Sequence, residues 1–192
     1  MLLRSAEING ISTSGRQLLV TQLHGTPGTD RGIIIDLRTS GTSDPDFPYV
    51  TEKRIRIPGH SQRYDLFVTG SAERSGISKA LQAIADSPKE SPIWVHCRLG
   101  RDRTGIIVAL IMVILGAEDE NSNFGDVEKE YLRTGGAKAD RLYLFFDTIA
   151  ERYGIEDGYP DDSRNGVINY LKSIRVTDED IDHIRDKFTL AS

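Results

Sequence analysis

Apolar residues along the 192-residue chain follow two rhythms. The first is the short unbroken run. Ile33-Ile34-Ile35, inside Gly32–Leu37, is β-branched throughout and predicts a buried strand. Ile93-Trp94-Val95, inside Pro92–His96, predicts a second. Arg54–Pro58 alternates charge with isoleucine, which suits a strand nearer an edge. The second rhythm is helical. Ile77, Ala80, Leu81 and Ile84 recur at helical spacing within Ser71–Ser87, where Ser71 is placed to cap the start. Ile106–Leu115 is apolar on every side and predicts a buried helix; a membrane span needs about 20 such residues.

The last third of the chain is helical. Val127, Tyr131 and Leu132 mark one short helix. Leu142, Phe145, Phe146, Ile149 and Tyr153 form a stripe on a longer one that ends near Gly154. Val167, Tyr170 and Leu171 mark a third. Thr177–Phe188 opens on a capping pair, Thr177 and Asp180, and sets Ile181, Ile184 and Phe188 on one face. These aromatic stripes read as core. The order of strands and helices predicts an α/β fold: a mostly parallel central sheet flanked by helices, with a helical C-terminal third. The length fits a single domain over residues 1–192.

Composition narrows the function. Hydrophobic residues at 38% and charged residues at 28% suit a folded, water-exposed domain rather than a disordered chain. A net charge of −5 argues against a nucleic-acid partner, which calls for a basic face. The start of the chain does not read as a signal peptide, and no transmembrane segment is expected, so a cytoplasmic location follows as the expectation. Cys97 is the single cysteine, which rules out an internal disulfide and suits a reducing compartment. His24, His60, His96 and His183 lie too far apart for ligand spacing, so no metal is expected.

The stretch that carries chemistry runs from Val95 through His96, Cys97, Arg98, Leu99, Gly100, Arg101, Asp102, Arg103 and Thr104 to Gly105. It follows one apolar strand and precedes the most apolar helix. Cys97 therefore sits at the carboxyl end of a strand, facing a helix N-terminus, where ligands bind in open α/β sheets and where unpaired N–H groups favour an anion. A thiol in such a field is favoured as thiolate, the nucleophilic form. Arg103 can grip two oxygens of a phosphate in a planar fork if the loop curls. Gly100 relieves crowding in the curl.

His-Cys-x5-Arg-Thr-Gly resembles the signature of the cysteine-dependent protein tyrosine phosphatase superfamily. The fuller form, Cys-x-x-Gly-basic-Asp-Arg-Thr-Gly, resembles the bacterial tyrosine/serine phosphatases, with Arg101 where those usually carry lysine. The likeness continues in Leu3-Arg4-Ser5-Ala6-Glu7, in Ile35-Asp36-Leu37-Arg38-Thr39, and in a tail with Tyr153, Tyr170-Leu171 and Val176-Thr177-Asp178-Glu179. The resemblance implies a tyrosine-phosphatase-like fold without cofactor. It implies a Cys97 nucleophile, a phosphocysteine intermediate, and a phosphate or sulfate anion held by residues 98–103. Arg103 would stabilise the transition state, Thr104 would donate toward the sulfur, and His96 would orient the loop. The implied partners are phosphorylated proteins or phosphoinositides.

The general acid stays open among three aspartates. Asp102 lies inside the loop, at the position such phosphatases are thought to use. Asp65 lies 32 residues before Cys97, in a turn-rich stretch after the Arg54–Pro58 segment. Asp36 ends a neighbouring strand. A plain role for Asp102 is an ion pair with Arg98 or Arg101. Arg38 reads equally as a surface ion pair or as part of the rim. Two other function classes fit a cysteine in a cradle: a phosphate-binding pseudophosphatase and a rhodanese-like sulfurtransferase. The Cys-to-Arg spacing and the Thr-Gly that follows favour the phosphatase.

Overall fold

A computed structural model describes residues 1–8, 10–23, 32–41, 44, 50–60, 62–117, 125–154 and 162–189, without the side chains of residues 16, 162 and 163. His24 lies outside these. In chain order the elements are β1 (Leu2–Ser5), α1 (Thr13–Leu23), β2 (Ile33–Asp36), β3 (Thr51–Arg54), α2 (Leu66–Thr69), α3 (Ser71–Ala85), β4 (Ile93–His96), α4 (Asp102–Ile114), α5 (Gly125–Leu132), α6 (Ala139–Tyr153), α7 (Asp162–Ser173) and α8 (Asp178–Phe188). The four strands form one sheet in the order β1-β4-β2-β3, every pair parallel. This is the α/β architecture expected, with the parallel character complete.

Alternation along the strands sends side chains to two cores. Ile33, Ile35, Ile93 and Val95 face the larger one, built with α2 to α8. Ile34 and Trp94 face a smaller one with Ile8 and Leu23, covered by α1. Because both faces are covered, β2 and β4 are buried at every position and show no alternation in sequence. Helix α4 is likewise buried nearly all round: it packs on the sheet and on α3, α5, α7 and α8. No helix of the described residues is long and apolar enough to cross a membrane.

The register matters most for function. Ser5 pairs with His96, His96 with Asp36, and Asp36 with Arg54. The last residues of all four strands thus stand in one row at the carboxyl edge of the sheet.

Two boundaries differ from expectation. The edge strand is Thr51–Arg54, not Arg54–Pro58. Its pairing to β2 is a main-chain matter, from Ile33↔Thr51 to Asp36↔Arg54, and its side chains are polar. The isoleucines that suggested a strand lie just after it, where Ile57 enters the core. Helix α3 is capped by Gly70 rather than Ser71, which is its first residue. Helix α8 matches its expectation: Thr177 Oγ1 accepts from the Asp180 amide at 3.1 Å, and Asp180 accepts from the Thr177 amide at 2.8 Å.

Candidate active site

The loop from Cys97 to Arg101 leaves β4 and enters α4 at Asp102. Cys97 lies at its base and is buried. Gly100 adopts φ +66°, the left-handed region, and presses against β1: a Cβ there would sit 2.5 Å from the Ser5 carbonyl oxygen. A side chain at this position would therefore meet backbone on both counts.

Strand β1 also holds the loop from behind. The Glu7 amide donates to the Arg98 carbonyl at 3.2 Å. Arg4 Nη2 donates to the Gly100 carbonyl and to Thr134 Oγ1, each at 2.8 Å, and Nη1 donates to the Glu130 carbonyl at 3.3 Å. Burial lowers the Arg4 guanidinium below its ordinary range, opposed first by Glu130 and then by Cys97. Periodicity did not single out Arg4 as a contact to the loop, since an arginine on an edge strand breaks no apolar pattern.

Arg103, in the first turn of α4, reaches across to the β2 side. Its Nη1 donates to the Leu37 carbonyl at 2.9 Å and to the Ile57 carbonyl at 3.4 Å. Gly59 leaves room for the guanidinium: a Cβ there would lie 3.4 Å from Cζ and Nε. Two carbonyls thus fix one end of the fork, and Nε and Nη2 have no hydrogen-bond partner among the described residues.

Below the loop lies a buried charge network. His96 Nε2 is 2.6 Å from Asp44 Oδ2. Asp44 Oδ1 accepts from Arg38 Nη2 at 2.7 Å. Asp36 accepts from Arg38 Nε at 2.8 Å and Nη2 at 3.0 Å, and from the Arg38 amide at 2.9 Å. Arg54 Nε stands 3.1 Å from Asp36, and Glu7 stands 3.5 Å from Arg38. Burial works to raise the Asp36 carboxyl, but the Arg38 hydrogen bonds outweigh it and hold the group below the usual range. Arg38 is raised in turn by Asp36. Arg38 forms ion pairs, but it is 2% exposed, and its pairs with Asp36 and Asp44 are buried rather than on the surface. Asp36, Asp44 and His96 are the described group spaced to hold a metal ion, and the Arg38 guanidinium, bonded to both carboxylates, supplies the positive charge there.

A second cluster surrounds Asp102. Arg101 Nε donates to its Oδ1 at 3.0 Å, and Arg141 Nη1 stands 3.7 Å from the same oxygen. The Tyr64 hydroxyl donates to Asp102 in a short hydrogen bond and lies 2.8 Å from the Tyr131 hydroxyl. Burial, then the Asp102 bond, raises Tyr64 far above the ordinary phenol range. Asp65, next in the chain, points elsewhere: its carboxylate pairs with Arg63 at 2.9 and 2.7 Å, and Arg63 lowers it. Asp36 faces Arg38 and Arg54. Arg98 and Leu99 are exposed on the outer turn. The Thr104 hydroxyl is buried and has no hydrogen-bond partner in this arrangement, and the same holds for His96 Nδ1. Asp44, Tyr64, Tyr131 and Arg141 join the site only through the fold. Each is remote from the loop in sequence and has no motif of its own.

The fold is an α/β protein in which one strand-to-helix unit carries a buried Cys97 at the end of β4 and, in the first turn of α4, Arg103 braced by two carbonyls. The sequence model described as "Tyrosine phosphatase family" matches residues 1–190. The chain belongs to that family, whose activity is phosphatase activity. Comparison with curated proteins gave no match.

Proposed function

We propose that the chain is a metal-independent phosphomonoesterase that acts on phosphotyrosine through a phosphocysteine at Cys97. The observation that carries the reading is Arg103, braced by the Leu37 and Ile57 carbonyls and placed six residues after a buried Cys97 at a helix N-terminus.

Cys97 thiolate attacks phosphorus, the S–P bond forms, and the bond to the leaving oxygen breaks. Arg103 and the loop amides stabilise the equatorial oxygens; loss of one such contact costs a factor of about 100 to 1,000. Asp102 protonates the leaving oxygen. In the second step water attacks phosphorus, Asp102 takes its proton, and the S–P bond breaks to release phosphate and the thiolate. The buried Thr104 hydroxyl, with no other partner, donates to that departing sulfur. Tyr64, with Tyr131 behind it, holds the Asp102 carboxylate in place. His96, anchored on Asp44, fixes the base of the loop. The contact of Asp65 with Arg63 makes it the weaker candidate for the acid.

Hydrolysis of p-nitrophenyl phosphate, with and without EDTA and beside Cys97→Ser, tests the reading. Turnover that resists EDTA and vanishes in Cys97→Ser is expected. No wild-type turnover, or equal turnover by the variant, refutes it, and tight phosphate binding without turnover would indicate a binding module. A panel of phosphotyrosine peptides, phosphoserine peptides and phosphoinositides then ranks substrates. For the acid, Asp102→Asn flattens the pH–rate profile with a poor leaving group; the same effect from Asp65→Asn alone would move the role to Asp65.

A further inference from the structure

A cavity of about 380 Å³ opens between α3 and the turn after α7, with Arg74, Ser75, Ser78, Lys79, Gln82 and Arg175 in its lining. It shares no residue with the loop or with the two clusters around it. Three of its lining residues are cationic and none is acidic, on a chain of net charge −5.

The walls are fixed. Arg74 donates to the Val68 carbonyl at 3.1 Å, to Ser173 O at 3.1 Å, to Ser173 Oγ at 3.2 Å and to the Tyr153 hydroxyl. It also lies about 6 Å from the centres of the Tyr153 and Tyr170 rings. Gln82 Nε2 donates to the Arg175 carbonyl at 2.9 Å, which ties the turn to α3.

Basic residues at the C-terminal end of a helix also complement its dipole. That accounts for Arg74, which bonds the Ser173 carbonyl. It does not account for Lys79, which lies in the middle of α3, and the exposed side chains of Lys79 and Arg175 have no ion-pair partner among the described residues. Arg175 is also the described non-glycine residue with positive φ, at +70°. It occupies the left-handed position that ends α7, with its amide on the Lys172 carbonyl and the Val176 amide on the Leu171 carbonyl. Glycine or asparagine fills that position at less conformational cost. An arginine there keeps a cation at the cavity at the expense of backbone ease.

We propose that this cavity is a second anion site, taking a multiply charged phosphate compound. Lys79 and Arg175 supply charge from opposite walls, and the Ser75 and Ser78 hydroxyls supply neutral donors. The volume lies in the range of roughly 300–1,000 Å³ usual for small-molecule sites.

The test follows backbone amide signals by NMR as inorganic tripolyphosphate is added. In the wild type, signals of residues 74–82 and 173–175 shift, separately from those of residues 97–103. In Lys79→Glu/Arg175→Gly the first set responds at least tenfold more weakly and the second is unchanged, as is p-nitrophenyl phosphate turnover. Arg175→Gly alone raises the unfolding midpoint, which separates lost binding from lost folding. A parallel arm with vesicles containing phosphatidylinositol 4,5-bisphosphate tells a lipid headgroup from a free phosphate compound. Either ligand, lost with the variants, supports the site and names its source. Shifts confined to residues 97–103 with both ligands, or helix shifts that persist in the double variant, overturn it, whatever the outcome of the turnover assay.

Discussion

Replacing Arg38 by methionine keeps most of the side chain's bulk and removes its charge. Two buried carboxylates, Asp36 and Asp44, then lose a partner that reached them at 2.8 and 2.7 Å. Breaking a buried ion pair by removing one member costs about 3–5 kcal/mol, because a charge is left uncompensated. Asp36 keeps Arg54 at 3.1 Å and Asp44 keeps His96 at 2.6 Å, so the lower end, about 3 kcal/mol, is the expectation. For a chain of this size that lowers the melting midpoint by roughly 6–12 °C. Urea denaturation at pH 7 measures the loss. Its pH dependence has a definite sign. The folded Asp36 carboxyl lies below its unfolded value, so the stability it gives is full above the unfolded value and fades as pH falls through the folded one. Without Arg38, burial has only His96 and Arg54 to oppose it and pushes Asp36 upward, and the variant gains when that carboxyl protonates. The gap between wild type and Arg38→Met therefore narrows from pH 7 toward about pH 4. Adding Asp44→Asn to the variant recovers part of the loss. A gap under about 1 kcal/mol at pH 7, or one that does not change with pH, refutes the account of Arg38 as the cation that neutralises this network.

Gly100→Ala brings a Cβ to 2.5 Å from the Ser5 carbonyl at a left-handed φ, so turnover falls by about 100-fold or more while the fold persists, as read by circular dichroism beside kcat. Thr177→Ala removes the α8 capping box and costs about 1 kcal/mol in urea denaturation; unchanged kcat is expected, and a drop in kcat would contradict the separation of α8 from the site. Tyr64→Phe removes the hydroxyl held on Asp102 and lowers turnover of a poor leaving group about tenfold, with little effect on p-nitrophenyl phosphate; equal effects on both substrates would make Tyr64 a packing residue only.

The buried strands β2 and β4, the apolar α4 and the loop between them were legible in the sequence because each is a local pattern. The striped helices α6 and α8 were legible for the same reason. Strand β1 and helix α1 were not. β1 is a half-buried edge strand of four residues, and α1 covers the sheet with few apolar positions, among them Leu19, Val20 and Leu23. The short β3 carries Thr-Glu-Lys-Arg and owes its place to hydrogen bonds that any side chains would allow. At the site, the residues contiguous with Cys97 could be named in advance. Some of those brought by tertiary contact could not: Asp44 lies 52 residues from His96, and Thr134 lies 130 residues from Arg4. Asp65 illustrates the limit. Its spacing suited an acid loop, yet the neighbouring Tyr64 is the residue that turns inward to Asp102.

The pairing of Leu2 with Ile93 sets a timetable for synthesis of the chain. Residues 2–5 leave the ribosome early and have no strand to join until residue 96 has followed. Their arginine finds Glu130 and Thr134 later still. Nascent chains released before α5 would therefore carry Cys97 on a loop whose Arg4 brace lacks its Glu130 and Thr134 contacts. A cysteine-directed phosphate analogue should label them poorly, and labelling should appear only once the segment through Thr134 has emerged.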